Sequence, residues 1–291
     1  MSFTQKPATL RPFPISVVAM GPGSQGEEAP EYLPMPKGMD TFAQPRLPEN
    51  VPAESINHAA ALLETFLDEA ARLGFAGGAC LDLLNLDATL RDVINQSLGF
   101  GEVSAFTTAP EHWRVQETAF AGIWRVLQVA DDGWMIVDRL ETGPIPAVLT
   151  DTMRRKAAAQ LPPPDYPAGC MNAQALVEEI RMQAAAYQPG QPAHVINLTL
   201  LPVSDADLDT LYGWLGHREV SLLSRGYGNC RITSTRLKNV WWVQYFNSMD
   251  TLILNSIEIV DMPDVALAAD EDFADSVERL REYLDMMVEP V

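Results

Sequence analysis

The sequence is poor in cysteine, with Cys80, Cys170 and Cys230 far apart and no CxxC or CxH spacing. A disulfide framework is therefore not expected, which fits a reducing compartment. A metal or iron–sulfur site built by this chain alone is disfavoured too, because such sites need several thiolates close together. Long apolar runs are also missing. No eighteen-residue apolar stretch occurs, and the amino terminus lacks an apolar signal core followed by a small-residue cleavage site. A soluble, cytoplasmic protein is the expectation. Positive charge is scarce, with 20 Lys and Arg against 39 Asp and Glu and a net charge of −19. That balance argues against nucleic acid and against anionic membrane surfaces. It leaves room for a cationic partner steered by the field, or for simple solubility.

Catalytic signatures are absent in the same way. No P-loop, H-E-x-x-H or G-x-S-x-G occurs. His58, His112, His194 and His217 are scattered without ligand spacing, so each reads as a surface or core histidine. Gly226-Tyr227-Gly228 lacks the following helix that a phosphate site needs and reads as a turn between strands. Cys230, just after that turn, reads as a small buried apolar residue or as a reactive thiol.

What the chain does have is self-similarity. Shifted by 117 positions without a gap, Glu102-Val103-Ser104 falls on Glu219-Val220-Ser221, and Leu98-Gly99 on Leu215-Gly216. Trp124 then falls on Trp241, Val126 on Val243, Glu141 on Glu258 and Pro146 on Pro263. The expectation is an internal duplication, with a Pro/Gly-rich extended arm over 1–52 and repeats over 53–165 and 166–291. The repeated Glu102/Glu219 and Glu141/Glu258 pairs mark either two matching sites or strand and turn supports.

Ser55 is the expected cap of a first helix whose Ala59, Leu62, Leu63, Phe66, Leu67, Ala70 and Leu73 share a face. A strand buried on both faces is expected over 79–86, then a helix with Leu90, Val93, Ile94 and Leu98 inward. Three strands follow, near 101–107, 115–129 and 133–142, the last two joined at Asp131-Asp132-Gly133. A short helix near 147–160 runs into the linker Leu161-Pro162-Pro163-Pro164. The pattern restarts at Asn172, with a strand over 194–201, a weak capping box Ser204-x-x-Asp207, four strands between 218 and 260, and a closing helix over 270–287. The fold class is α+β: a duplicated helix–strand–helix–three-stranded antiparallel meander–helix unit.

The strand Val240-Trp241-Trp242-Val243-Gln244-Tyr245-Phe246 carries the most information. Trp241 and Val243 match Trp124 and Val126, so their face is expected in a common core beneath the helices. Trp242, Gln244 and Phe246 share the opposite face. There the halves disagree, which leaves a contact between repeats or a docking surface.

At these residues the chain resembles the HupH-type hydrogenase expression/formation family over nearly its whole length. The resemblance rests on Gly21-Pro22-Gly23-Ser24-Gln25, Leu81-Asp82-Leu83-Leu84-Asn85-Leu86 and Gly101-Glu102-Val103-Ser104. Gly122-Ile123-Trp124-Arg125-Val126, Ile196-Asn197-Leu198-Thr199, Gly226-Tyr227-Gly228 and Pro263-x-Val265 carry it further. It implies an accessory chaperone, not an enzyme, in the assembly of uptake nickel–iron hydrogenases. It also implies a hold on the iron–sulfur small-subunit precursor before twin-arginine export, with other maturation proteins as further partners. No catalytic residue, metal ligand or cofactor is expected. The expected partner-binding residues are Trp242, Phe246, Tyr227, Glu102 and Glu219. A metal or cluster delivery or repair factor and a scaffold for other maturation proteins are the alternatives.

Overall fold

The computed structural model describes residues 42–108, 110–226 and 228–288. The amino-terminal arm expected over 1–52 therefore lies outside the described residues up to position 41. Its described end is tied down: Ala43 bridges Phe100, and the Arg46 N–H donates to Gln96 O at 2.9 Å.

Among the described residues, six α-helices pack on one ten-stranded antiparallel sheet. The helices are α1 (Ala53–Leu73), α2 (Ala88–Leu98), α3 (Ala147–Lys156), α4 (Ala173–Ala186), α5 (Asp205–Leu215) and α6 (Asp270–Val288). The first five strands are β1 (Cys80–Asp82), β2 (Val103–Thr107), β3 (Trp113–Glu117), β4 (Ile123–Val129) and β5 (Met135–Thr142). The second five are β6 (His194–Asn197), β7 (Val220–Ser224), β8 (Asn229–Ser234), β9 (Val240–Phe246) and β10 (Leu252–Ile259). The sheet order is β1-β5-β4-β3-β2-β7-β8-β9-β10-β6, which reads alike from either edge, and the halves meet at β2 and β7. At that junction Ala105 pairs with Leu222, the residue 117 positions on.

Several expectations are corrected. The first half's meander has four strands, not three, because a tight turn splits 115–129 into β3 and β4, and it thereby matches the four strands expected and found between 218 and 260. Its lead residue, Thr118, accepts the Phe120 N–H through Oγ1 at 3.2 Å, and Gly122 takes φ +76°. A Cβ at Gly122 would sit 2.9 Å from Phe273, so glycine is required there twice over. Thr235 makes the same bond to the Leu237 N–H at 3.2 Å. The strand expected over 79–86 shortens to Cys80–Asp82 because the Asp82 carboxylate accepts the Leu84 N–H and turns the chain. As an edge strand β1 leaves Cys80 and Asp82 exposed, so it is not buried on both faces. Helix α1 begins two residues before Ser55, after Pro52, whose carbonyl accepts the Ser55 N–H.

Three cores hold these layers together. On one face α1, α2 and α6 bury Leu63, Phe66, Ile94 and Leu280 against Ile123 and Leu140. On the same face of the second half, α4 and α5 cover Trp242, Ile196 and Ile257. The opposite face is a single core across the junction, where α3 and the segment 260–268 cover Trp124, Val126, Trp241 and Val243. The two closing helices thus do different jobs. Helix α3 crosses the β2–β7 seam, while α6 returns to the first half and packs on α1. The triple proline does not hang free either. Ala158 N–H donates to Arg236 O, and Pro162 O accepts the Trp214 indole N–H at 2.7 Å.

Candidate functional site

Of the side chains expected to dock a partner, Trp242 and Phe246 are not on an open surface, while Glu102 is exposed and Glu219 half-buried. Trp242 is 1% exposed, stacks on Tyr212 of α5 at 4.0 Å, and donates its indole N–H to Asn255 Oδ1 at 2.6 Å. Phe246 is also 1% exposed, with the Arg231 guanidinium 4.3 Å from its ring centre. The physical reason is position: β9 lies between β8 and β10 with a packed layer on each side, so both faces of the strand are interior. Trp241 lies beneath α3 in the core shared with Trp124, and Trp242 lies beneath α4 and α5 on the other face. Tyr227 lies outside the described residues.

Glu102 and Glu219 sit at opposite ends of the β2–β7 seam. Their backbone carbonyls extend its ladder, Glu102 O accepting from Arg225 N–H at 3.2 Å and Glu219 O from Thr108 N–H at 2.9 Å. The Glu102 carboxylate occupies the space that a Cβ on Gly226 would need. The four described residues, Trp242, Phe246, Glu102 and Glu219, therefore do not form one open site.

The titratable groups with altered proton affinity are mostly interior. Burial pushes the Cys230 thiol up to about 12, with the Tyr245 hydroxyl as hydrogen-bond partner. Burial raises Glu117 to about 7, against the backbone N–H groups of Gly122 and Val103 that favour its carboxylate. Burial would also raise Asp207, but backbone N–H groups at Ser204, Ala173 and Asn172 outweigh it and hold the carboxyl below the usual range. Among the described residues no three His, Cys, Asp or Glu side chains come together as metal ligands would. An open groove lies between the proline run and α5, lined by Pro162, Pro164, Asp209, Trp214 and Arg236.

The surface the sequence reading missed is at the hairpin tips. Trp134 is 76% exposed at the β4–β5 tip, followed by exposed Met135 and Ile136. Met249 and Ile253 stand out from the β9–β10 tip. The tip is a built turn: Ala130 N–H donates to Trp134 O at 2.8 Å, and Gly133 N–H to Ala130 O at 2.9 Å. The usable signal was the run Gly133-Trp134-Met135-Ile136, apolar directly after a turn where polar residues are the rule.

A family model described as HupH hydrogenase expression protein, C-terminal conserved region, matches residues 57–157 and 170–287. The hydrogenase expression/formation protein HoxQ of Cupriavidus necator is 44% identical over 278 residues, covering 94% of this chain and 98% of the relative. HupH of Rhodobacter capsulatus is 43% identical with the same coverage. The hydrogenase-1 operon protein HyaF of Escherichia coli is 36% identical over 72% of this chain and 73% of its own. Among solved structures, HupH from Thiobacillus denitrificans is 27% identical and covers 38% of this chain and 91% of that one. Its TM-score is 0.34, too loose a superposition to carry a structural argument.

Proposed function

The chain belongs to the HupH hydrogenase expression/formation family, and we propose on that premise that it is a cytoplasmic accessory chaperone of hydrogenase maturation. It holds the iron–sulfur small-subunit precursor of an uptake nickel–iron hydrogenase until twin-arginine export. The observation that carries this reading is the relationship over nearly the whole chain to proteins named for hydrogenase expression and formation. The net charge of −19 supports it, because a basic leader segment is drawn to such a body. The exposed apolar tips supply contact surface. No helix among the described residues is long and apolar enough to cross a membrane.

We also infer that the two halves arose by duplication. Trp124 donates its indole N–H to Gly143 O at 2.8 Å, and Trp241 donates to Val260 O at 3.1 Å, so donor and acceptor both recur 117 positions on. Arg125 bonds Asp138 across β4 and β5, and Trp242 bonds Asn255 across β9 and β10 in the same frame. Residues 53–165 and 166–291 are then two units sharing one sheet.

The rival reading is a carrier or repair factor for metal or cluster acting through Cys230, with Cys80 or Cys170 as further thiols. A thiol buried and pushed up to about 12 is almost wholly protonated at neutral pH, which opposes metal capture. The test is complementation of a strain lacking this chain. Wild type restores hydrogenase activity, and a Cys80→Ser, Cys170→Ser, Cys230→Ala variant restores it to within about twofold. A folded cysteine-free variant that restores nothing would transfer the function to the carrier reading.

A further inference from the structure

The sheet carries one set of positions twice on the face that bears α1, α2, α4, α5 and α6, and the two copies differ. Phe106, Arg114, Leu127 and Val129 of the first half stand 117 positions before Leu223, Arg231, Gln244 and Phe246. The first set shows how much the strands themselves bury: Phe106, Leu127 and Val129 are half-buried and Arg114 is exposed. In the second set Leu223 is 6% exposed, Gln244 5% and Phe246 1%. Helix α5 accounts for Gln244, whose amide donates to the Tyr212 hydroxyl at 3.1 Å. Leu223 and Phe246 lie in none of the three cores. The Arg231 guanidinium, 4.3 Å from the ring centre, covers one side of Phe246. The rest of their burial needs a further cover over β7, β8 and β9.

The described chain begins beside this place. Ala43 and Phe100 exchange backbone hydrogen bonds at 2.9 Å just before β2. A Cβ on Gly99, at φ +58°, would clash with Ala43 O, so the approach is that close only because glycine stands there. Arg46 is held by α2 through Gln96 O and by α6 through the Tyr283 hydroxyl, which sets the segment on the same face. At this end of the sheet Glu102 O accepts the Arg225 N–H, and Asn229 pairs with Phe246. Three strand spacings, about 14 Å, separate β2 from β9. Tyr32 precedes Ala43 by 11 residues, which reach up to about 36 Å when extended.

We propose that the chain's own amino-terminal segment, residues 1–41, supplies this cover by docking across β7, β8 and β9. Its chemistry fits the place. Glu27, Glu28 and Glu31 precede Tyr32, Leu33 and Met35, which joins carboxylates to apolar side chains in one short stretch. The face offers the apolar Leu223 and Phe246 beside Arg231, with Arg225 just past the end of β7. In a chain of net charge −19, a cationic and apolar place attracts an acidic segment that most of the surface repels. The tether raises the segment's effective concentration, so a modest contact holds it there. A second copy of the chain must compete with that tethered segment.

The test is photocrosslinking in the full chain, with p-benzoylphenylalanine in place of Leu252, which pairs with Phe246 on this face. Leu254, paired with Tyr245 on the opposite face, is the control position. Peptide mapping is expected to place the Leu252 crosslink within residues 1–41 of the same chain, at about tenfold the yield from Leu254. Glu27→Lys, Glu28→Lys and Glu31→Lys together are expected to lower that yield at least about threefold. Thr233, on the same face, takes the probe if the Leu252 substitution lowers the melting temperature. No crosslink into residues 1–41, or equal yields from the two faces, would overturn the proposal. A crosslinked dimer from the Leu252 position would assign the place to a second copy and overturn it as well. An undiminished yield in the triple Lys variant would contradict the charge pairing on which the placement rests.

Discussion

A single carboxylate, Asp207, ties two helix starts together. Its Oδ1 accepts the N–H groups of Met171, Asn172 and Ala173 at 2.7–2.9 Å, and its Oδ2 accepts the Ser204 N–H and hydroxyl. Half of this was legible, since Ser204-x-x-Asp207 marks a capping box and the structure has it. The half that crosses to α4 was not, because no local pattern reports a contact between residues so far apart. Asp207→Ala strands those donors, and a loss of about 3 kcal/mol in a denaturant titration at pH 7 is expected. With its folded value depressed, the stability Asp207 contributes is present above the ordinary aspartate range and is lost as pH falls through the folded value. Glu117 runs the other way. Its folded value near 7 lies above the usual 4.5, so its contribution is complete below about 4.5 and is lost as pH rises through 7. The difference is on the order of 3 kcal/mol. Wild-type stability should therefore show a decline between pH 5 and 8 that Glu117→Gln removes, and an unchanged decline in that variant would place its origin elsewhere.

At the scale of elements, strand β9 shows where pattern reading stops. Alternation assigns residues to two faces correctly, Trp241 with Val243 and Trp242 with Gln244, but it cannot say which face is covered when both are apolar. Here both are, because β9 is an interior strand between two packed layers. Trp241→Ala and Trp242→Ala should each cost about 3–5 kcal/mol, read by thermal melting, since each empties a large interior volume. A Trp242→Ala chain that melts like wild type would contradict the packing against Tyr212. Helix faces were easier to read. The inward residues expected for α2, namely Leu90, Val93, Ile94 and Leu98, are all buried, because an amphipathic stripe leaves one choice of side. The β4–β5 hairpin was also legible from Asp131-Asp132-Gly133, with Gly133 at φ +88°. The turn after β3 was not, since Ala119-Phe120-Ala121 looks like continuing strand until the Thr118 hydroxyl is seen bonded to it.

For the whole molecule the α+β class and most strands could be read from the sequence, while the assembly of the layers could not. Nothing in residues 270–288 shows that α6 leaves its own half to pack on α1, where Arg281 reaches Glu64 and Asp68 at 2.8 and 2.7 Å. That return couples the two ends of the sheet. Removing residues 270–291 should uncover the apolar face of α1 and lower the melting temperature, with association visible on size exclusion. A truncated chain as stable and monomeric as the full one would deny the coupling. The proposed function, too, draws on the whole surface: an acidic body and an exposed tryptophan at a hairpin tip. Its most direct test is capture from hydrogenase-producing cells of the tagged chain with small-subunit precursors that carry or lack the leader. Recovery of the leader-bearing precursor as a defined complex, weakened when the leader is removed, is the predicted result. A chain that recovers neither form of the small subunit from cells that mature hydrogenase normally would contradict the account.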